Sequence, residues 1–236
     1  MKKLLTIMLI LFVGFAAFAQ DSVVVYYADD PIPSQDYNMF YAGIELGAGS
    51  INNLAIDNGI GNQLSISPMT GFEMSPVLGI RPFDNTNFAF ELNVMMDLLD
   101  YKSYDTGIND SDIRYITQII SPQILAMYTF GAGMVRPFAG LGIGANFNNF
   151  AIEADETTSD GTVETNTNNY DVNTSFSMVL KSGAKISIPD SNFDVYALCR
   201  YNVNMPNEIK FDNSTIKSTM NASNLAAAIG VTYNLV

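Results

Sequence analysis

Apolar and polar residues alternate in eight separate stretches of the chain, all of which lie after residue 36. Alternation with a period of two residues is typical of a β-strand with two different faces. In the stretch 38–50, for example, Phe40 and Ile44 fall on one face and Glu45 falls on the other. The other stretches are 70–82, 88–99, 116–130, 136–147, 175–188, 193–203 and 224–235. The pattern therefore predicts eight β-strands.

The connections between these stretches alternate strictly between long and short. The short ones are 83–87, 131–135 and 189–192, and the later long ones are 100–114, 150–174 and 204–223. In a transmembrane barrel, short turns lie on one side of the membrane and long loops on the other. An even number of strands also places both chain ends on the turn side. We therefore expect an all-β fold, an eight-stranded antiparallel up-and-down transmembrane β-barrel over residues 37–236.

The longest connection, 150–174, contains six acidic residues and no Lys or Arg. Charge repulsion and low hydrophobicity predict a mobile, solvated loop there. A Ca²⁺ site is the alternative, but the spacing of the acids does not match an EF-hand loop, which needs a central Gly and a terminal Glu. We therefore expect a loop without a bound ion.

The N-terminus has the features of a secretory signal peptide over residues 1–19. Lys2 and Lys3 precede an uncharged apolar run, and Ala17 and Ala19 supply small residues before a cleavage point at Gln20. The apolar run is shorter than the roughly 20 residues of a membrane-spanning helix, which disfavours an anchor. The single cysteine lies far from this point, which argues against a lipoprotein. Residues 20–36 are expected to form a periplasmic lead-in.

Composition narrows the range of functions. The formal net charge is −13, and an acidic chain is a poor partner for nucleic acid because phosphate binding needs clustered Lys and Arg. The chain has no His, which excludes Ser-His-Asp and Cys-His catalysis and His metal ligands. Its single Cys excludes an intramolecular disulfide framework. We expect no enzymatic activity and no cofactor or metal.

Charged residues inside the predicted strands share the face opposite the apolar one, which points into the lumen. Four acids stand against four bases: Glu45, Glu73, Glu91, Asp97, Arg81, Lys181, Lys185 and Arg200. Buried charges are tolerated when they are paired, and an eight-stranded barrel encloses little more than its own side chains. We predict a lumen charge network that plugs the barrel. A small ion path and a carboxylate-based active site are the alternatives.

Two short motifs resemble the small outer-membrane β-barrel family, the OmpA/OmpX-like eight-stranded group, and especially its PorT-like members. The run Leu-Cys-Arg-Tyr at 198–201, followed by Met-Pro-Asn-Glu-Ile at 205–209, is similar to strand seven of that family. The C-terminal pattern of Gly230, Tyr233 and Leu235 is similar to the assembly signal that the barrel-insertion machinery binds. The usual final Phe is absent from this pattern.

The resemblance implies a protein exported to the cell outer membrane, in contact with outer-membrane lipid and with the insertion machinery during assembly. It implies no shared activity, since function does not follow from fold. We expect a non-enzymatic barrel that anchors acidic surface loops for a structural role or for contact with an extracellular partner. The alternatives are a small solute pore and a soluble periplasmic binding barrel of the lipocalin type.

Overall fold

The computed structural model describes residues 39–51, 54–57, 63–66, 68–82, 87–104, 112–131, 134–157, 162–189, 191–210, 218–221 and 223–235. The signal peptide predicted at 1–19 and the lead-in predicted at 20–36 lie outside the described residues. Parts of the three predicted short turns also lie outside them. Across these ranges, no helix is long and apolar enough to cross a membrane.

The described residues form thirteen strands, and every pairing between them is antiparallel. The strands are β1 (Phe40–Ile51), β2 (Leu54–Asp57), β3 (Gln63–Ile66), β4 (Met69–Ile80), β5 (Phe88–Tyr104), β6 (Asp112–Thr129), β7 (Val135–Thr157), β8 (Val163–Val172), β9 (Ser175–Ser187), β10 (Phe193–Asn204), β11 (Asn207–Lys210), β12 (Ser218–Asn221) and β13 (Asn224–Leu235).

Eight of the described strands close into a barrel in the order β1, β4, β5, β6, β7, β9, β10, β13, after which β13 returns to β1. The pairing of β9, the last strand of the sheet, with β7 completes the circle. Phe40 pairs with Leu235, so the start of the first strand and the end of the last strand lie at the same end. The predicted fold class is confirmed, and the long and short connections lie at opposite ends of the barrel.

Alternate residues of the barrel strands face outward and carry large apolar side chains. They include Ile44, Leu46, Leu78, Leu92, Ile124, Leu141, Ile143, Met178 and Ile229, with exposed fractions from 43% to 66%. A strand of 12 residues, such as β1, extends roughly 40 Å along its axis, which at a tilt of about 40° crosses roughly 30 Å. An apolar outer surface of this height matches the hydrocarbon layer of a bilayer.

Aromatic side chains border this apolar surface. At the turn end, three pairs have ring centroids 4.9 Å apart: Phe88 with Phe90, Tyr128 with Phe130, and Phe193 with Tyr233. Toward the loop end, Phe72, Phe147 and Phe176 are exposed on the outer face. Aromatic girdles at both edges of the apolar band are typical of transmembrane barrels.

Within the described residues, the prediction of a loop over 150–174 is wrong, because most of them are in strands. Strand β7 continues to Thr157, and Val163–Val172 returns as β8, pairing with it from Thr157↔Val163 to Asn149↔Asp171. The acidic residues do not prevent pairing, because those with described side chains lie at the surface among strand-forming Thr, Val and Tyr residues. Ile152 and Tyr170 also pack against the interior cluster around Phe150, which holds the hairpin to the barrel.

The other long connections also contain strands. Strands β5 and β6 extend to Tyr104 and Asp112, and the pairs β2/β3 and β11/β12 add to the sheet through β8–β11 and β12–β2 contacts. We call these extensions, together with the β7/β8 hairpin, the outer wall. On its surface, Arg114 forms an ion pair with Asp100 at 2.7 Å. This hydrogen bond raises the pKa of the Arg114 guanidinium above its usual value.

Candidate functional site in the barrel lumen

The centre of the lumen contains an ion cluster built around Glu45 on β1. One carboxylate oxygen of Glu45 lies 2.5 Å from Lys181 Nζ, and the other binds the Arg200 guanidinium. The same guanidinium lies 2.8 Å from Glu73 Oε1. None of these four side chains is more than 2% exposed. Charges so far from water are stable because each has an opposite charge in direct contact.

Lys181 extends the cluster to a third carboxylate, since its Nζ also lies 2.6 Å from Glu91 Oε2. The cations stand on β9 and β10, whereas Glu45, Glu73 and Glu91 stand on β1, β4 and β5. The ion pairs therefore join two walls of the barrel across its interior. This arrangement ties together strands that are distant in the sequence.

Two tyrosines complete the cluster in the same way. Tyr196 pairs with Gly230, which in turn pairs with Glu45, and the Tyr196 hydroxyl donates to Glu45 Oε1 at 3.0 Å. A Cβ added to Gly230 would collide with the Tyr196 ring. The glycine is therefore needed because the ring crosses its strand to reach the glutamate on the next one.

The second tyrosine repeats this geometry two strands further round the barrel. Tyr41 pairs with Gly79, which pairs with Glu91, and the Tyr41 hydroxyl donates to Glu91 Oε1 at 2.9 Å. A Cβ at Gly79 would meet the Tyr41 ring. Each tyrosine thus supplies a neutral donor to a glutamate that a cation also holds, which satisfies further lone pairs of the buried carboxylates.

Asp97 lies at the loop side of the cluster, directly opposite Glu73 on the neighbouring strand. Its Oδ2 accepts a hydrogen bond from Asn224, whose Oδ1 accepts from Asn202 at 2.6 Å. Asn202 accepts in turn from Gln123 at 3.2 Å. Among the described residues, Asp97 Oδ1 and Glu73 Oε2 have no hydrogen-bond partner. Two carboxyl groups thus stand opposite each other, each with one oxygen that has no partner in the described chain.

The structure brings five of the eight predicted lumen residues into direct contact, places a sixth beside them and separates the other two. Those in contact are Glu45, Glu73, Glu91, Lys181 and Arg200. Asp97 joins their edge beside Glu73. Arg81 and Lys185 instead line the turn end of the lumen, together with Arg136 and Asp194. The described charges form two groups, an inner one with four carboxyl groups and two cations and a turn-end one with three cations and one carboxylate.

The turn-end group surrounds a cavity of about 150 Å³. Asp194 lies between two guanidiniums, with Arg136 3.5 Å from its Oδ1 and Arg81 3.9 Å from its Oδ2. Arg81 also lies over the Tyr41 ring, 4.6 Å from the centroid, which orients it across the opening. Among the described side chains that line this cavity, four are cationic and two are acidic.

The loop end of the lumen is closed by apolar side chains. Ile51, Met69, Leu99, Ile119 and Phe150 are each 0% exposed and pack together with Met95. Tyr101, Tyr115, Ile152, Tyr170 and Val172 of the outer wall cover this cluster. We call it the apolar cap. The ion cluster thus lies between this cap and the turn-end cavity.

The three residues of the predicted assembly signal are not gathered into one site. Gly230 faces the lumen beneath the Tyr196 ring, whereas Tyr233 and Leu235 lie on the outer face with exposed fractions of 40% and 42%. The Tyr233 ring packs against the Phe193 ring in the turn-end aromatic girdle, at an interplanar angle of 58°. Gly230 therefore has a packing role that does not depend on recognition by the insertion machinery.

Sequence reasoning did not identify Tyr41, Tyr196 or Asn224 as partners of the lumen charges. The alternation places all three on the inward face, but their partners depend on the register of three or four strands. A Tyr, a Gly and a Glu on three consecutive strands would be a recognisable signal once that register is known. In the described part of the chain, no group of three or more Cys, Asp or Glu side chains is arranged to hold a metal ion.

Comparison with protein-family models and with curated proteins gives no match for the chain. Among solved structures, it is similar to the outer membrane protein OprG from Pseudomonas aeruginosa, with a TM-score of 0.53 and 11% identity, over 84% of this chain and 96% of that one. It is also similar to Neisserial surface protein A, with a TM-score of 0.43 and 17% identity, over 83% and 97% of the two chains.

The outer membrane protease OmpT from Escherichia coli is a further match, with a TM-score of 0.47 and 9% identity, over 85% of this chain and 98% of that one. Identities this low concern the fold alone, and the chemistry of a site must be argued from its own residues. The closed ring of strands, the apolar outer face and the likeness to OprG agree with the resemblance noted in the sequence. The chain has the eight-stranded barrel fold of the small outer-membrane proteins.

Proposed function

We propose that the protein is a non-enzymatic integral outer-membrane barrel that anchors the outer wall at the cell surface. The belt of exposed apolar side chains supports contact with lipid, since a surface of this kind is unstable in water. The aromatic girdles also support contact with a bilayer. In the proposed orientation, the turns face the periplasm and the outer wall lies outside the cell. Export through residues 1–19, and assembly through Gly230, Tyr233 and Leu235, belong to the same proposal.

The observation that supports a closed, non-conducting role is the burial of large side chains at two levels of the lumen. Arg200 and Lys181 are 0% and 2% exposed at mid-height, and Phe150 in the apolar cap is 0% exposed. Ions would have to pass both layers. Passage through the ion cluster would break buried ion pairs, which costs several kcal/mol. These contacts favour an anchor over a small solute pore.

Single-channel recording in a planar bilayer tests the closed lumen. Folded wild-type protein should insert without producing stable conductance steps. The double variant Arg200→Ala and Phe150→Ala removes bulk from both layers and should produce steps of measurable size. Regular steps from the wild type, with no increase in the double variant, would instead favour the pore.

The outer wall supplies the surface for an extracellular partner. Its described acidic side chains include Asp100, Glu153, Asp155, Glu164 and Glu208, and Arg114 is paired with Asp100 and Glu153. A surface of this charge favours a cationic partner or repels anionic ones. Labelling of a Glu164→Cys, Cys199→Ser variant on intact cells with a membrane-impermeant thiol reagent tests the orientation. Absence of labelling until the cells are opened would contradict it.

The lipocalin-type alternative requires a barrel that is stable in water. Its outer face would carry polar residues, whereas here the outer face carries the apolar belt, including Ile143 and Phe176 at 66% and 65% exposed. We therefore expect the folded protein to remain monodisperse in detergent and to aggregate when the detergent is removed. Size-exclusion chromatography with and without detergent distinguishes a membrane barrel from a soluble lipocalin-type barrel.

A further inference from the structure

The contact between Glu73 and Asp97 lacks a hydrogen-bond donor. The two residues pair across β4 and β5, and their carboxyl groups lie within hydrogen-bonding reach of each other. Both side chains are buried in the lumen, with exposed fractions of 0% and 4%. In the described part of the chain, Glu73 Oε2 and Asp97 Oδ1 have no partner. Two carboxylates are acceptors only, so neither satisfies the other unless one of them carries a proton.

The second oxygen of each carboxyl group indicates which of the two would carry it. Glu73 Oε1 lies 2.8 Å from the Arg200 guanidinium, which stabilises the ionised form of Glu73. Asp97 Oδ2 instead accepts from the neutral amide of Asn224. Among the described residues, no cation forms an ion pair with Asp97. The contacts therefore favour a glutamate that is ionised and an aspartate that is neutral.

A chain of neutral amides fixes the Asp97 side of this pair. Gln123 Nε2 donates to Asn202 Oδ1 at 3.2 Å, and Asn202 Nδ2 donates to Asn224 Oδ1 at 2.6 Å. Asn224 Nδ2 then donates to Asp97 Oδ2. All three donors are directed toward Asp97, so its Oδ2 is engaged as an acceptor. Its Oδ1 is the oxygen that remains for a proton.

The surroundings of the pair supply no cation for Asp97 itself. The charged side chains near the pair come from three other strands, with Glu45 on β1, Lys181 on β9 and Arg200 on β10. Both of these cations are already in contact with Glu45. On β6 the residue opposite Asp97 is Ile119, a member of the apolar cap. An ionised carboxylate in this place would be buried with only an amide to stabilise it, which is costly.

We infer that Asp97 is protonated in the folded barrel at neutral pH and donates to Glu73, so that the two residues form a buried proton-binding site. A proton on Asp97 Oδ1 and a hydrogen bond to Glu73 Oε2 satisfy both unpartnered atoms together. In the unfolded chain an aspartate ionises near pH 4. The folded state then binds one proton more than the unfolded state, and the stability of the barrel falls as the pH rises. The inference does not rest on the proposed role at the cell surface.

Infrared spectroscopy of the lipid-reconstituted protein tests the proton directly, because a carboxylic acid and a carboxylate absorb in separate bands. We expect a carboxylic-acid band at neutral pH that shifts when the aspartate side chains are labelled with carbon-13. Asp97→Asn should lack this band. Asp100→Asn, which changes an exposed aspartate of the same strand, should retain it. Absence of an aspartic-acid band from the labelled wild type overturns the inference, as does a band that persists in Asp97→Asn.

The pH dependence of urea unfolding gives a second, independent measurement. From about pH 5 to pH 7, the unfolding equilibrium constant of the wild type should rise about tenfold per pH unit relative to that of Asp97→Asn, because one proton is released on unfolding. A ratio that stays constant over this range overturns the inference. So does a wild type without the acid band whose stability increases with added Na⁺ or Ca²⁺, since the two carboxylates would then share a cation.

Discussion

Lys181 and Arg200 lie directly opposite each other on β9 and β10, and both side chains point into the lumen. Two cations so placed would repel each other, but Glu45 from β1 inserts one carboxylate between them and binds both. Like charges opposite one another in a sheet are destabilising by themselves. The strand pair β9/β10 is therefore compatible with a folded barrel because a third strand supplies the compensating charge.

Replacement of Arg200 by Met should strongly destabilise the barrel. The change leaves Glu73 without its cation and Glu45 with Lys181 alone, and a buried charge without its partner costs about 3–5 kcal/mol. Urea unfolding of the lipid-reconstituted protein, followed by circular dichroism, measures the effect.

The matched control is Arg114→Met on the outer wall. Arg114 pairs with Asp100 in the open, and exposed ion pairs contribute about 0–1 kcal/mol. The two variants remove the same charge and differ in burial. Equal losses of stability in the two proteins would contradict a structural role for the ion cluster.

Gly230→Ala should displace the Tyr196 ring and break its hydrogen bond to Glu45. The loss of the donor to a buried acceptor lowers the free energy of unfolding by about 1–3 kcal/mol. The displacement of the ring lowers it further. Gly79→Ala should have a similar effect through Tyr41 and Glu91. The free energy of unfolding of each variant measures the loss.

Gly49→Ala is the control for both glycine variants. Gly49 also faces the lumen, but the nearest atom to an added Cβ would be Leu99 Cδ2 at 3.4 Å, a flexible methyl group. Gly→Ala in a strand without a steric conflict changes stability by less than about 1 kcal/mol, in the favourable direction. If Gly49→Ala were as harmful as Gly230→Ala, the crossing tyrosine would not explain the glycine.

Asp97→Asn should leave the barrel as stable as the wild type or make it more stable. An amide keeps an oxygen that can accept from Asn224 and offers an N–H to the Glu73 oxygen that has no partner in the described chain. It also replaces one of two facing carboxyl groups by a neutral amide. A gain of about 1 kcal/mol is expected from a buried hydrogen bond to a charged acceptor that the amide makes without a bound proton.

Glu45→Gln provides the contrasting result, because the same chemical change there removes a charge that both Lys181 and Arg200 contact. We expect a loss of about 3 kcal/mol, in line with a broken buried ion pair. Thermal unfolding of the two variants side by side measures both effects. A loss in Asp97→Asn as large as that in Glu45→Gln would mean that the Asp97 charge is needed.

Cys199 gives a native probe of the outer face. It is exposed on β10 at mid-height, where it pairs with Ala227. In lipid vesicles, a charged, membrane-impermeant thiol reagent should fail to label it, whereas the urea-unfolded protein should be labelled fully. A Glu164→Cys, Cys199→Ser protein should be labelled in both states. Rapid labelling of Cys199 in vesicles would show that this face is in water.

The barrel could be predicted from the sequence because its signal is local. Each strand shows its own alternation, and β13, predicted over 224–235, is observed as Asn224–Leu235. The hairpin β7/β8 was missed for the opposite reason. Its Asn, Thr and acidic residues show little hydrophobic periodicity, and its strands exist because β6 supplies an edge and Phe150 supplies an apolar contact.

The lumen network, too, could be predicted from the sequence only in part. Alternation places Glu45 and Arg200 on the inward face, but it does not fix the relative height of strands that are far apart in the sequence. For this reason Lys185 and Lys181, only four residues apart on one face, could not be assigned to two different groups. The heights follow from the register of all eight barrel strands together, which is a property of the closed barrel.

Gel mobility of the detergent-folded protein, with and without boiling, tests the closed membrane barrel most directly. A closed barrel tied across its lumen by Glu45, Lys181 and Arg200 should resist SDS at room temperature. We predict a faster band in the unboiled sample, which shifts to the position of the unfolded chain after boiling. Identical bands from a protein that is soluble in plain buffer would contradict the membrane barrel.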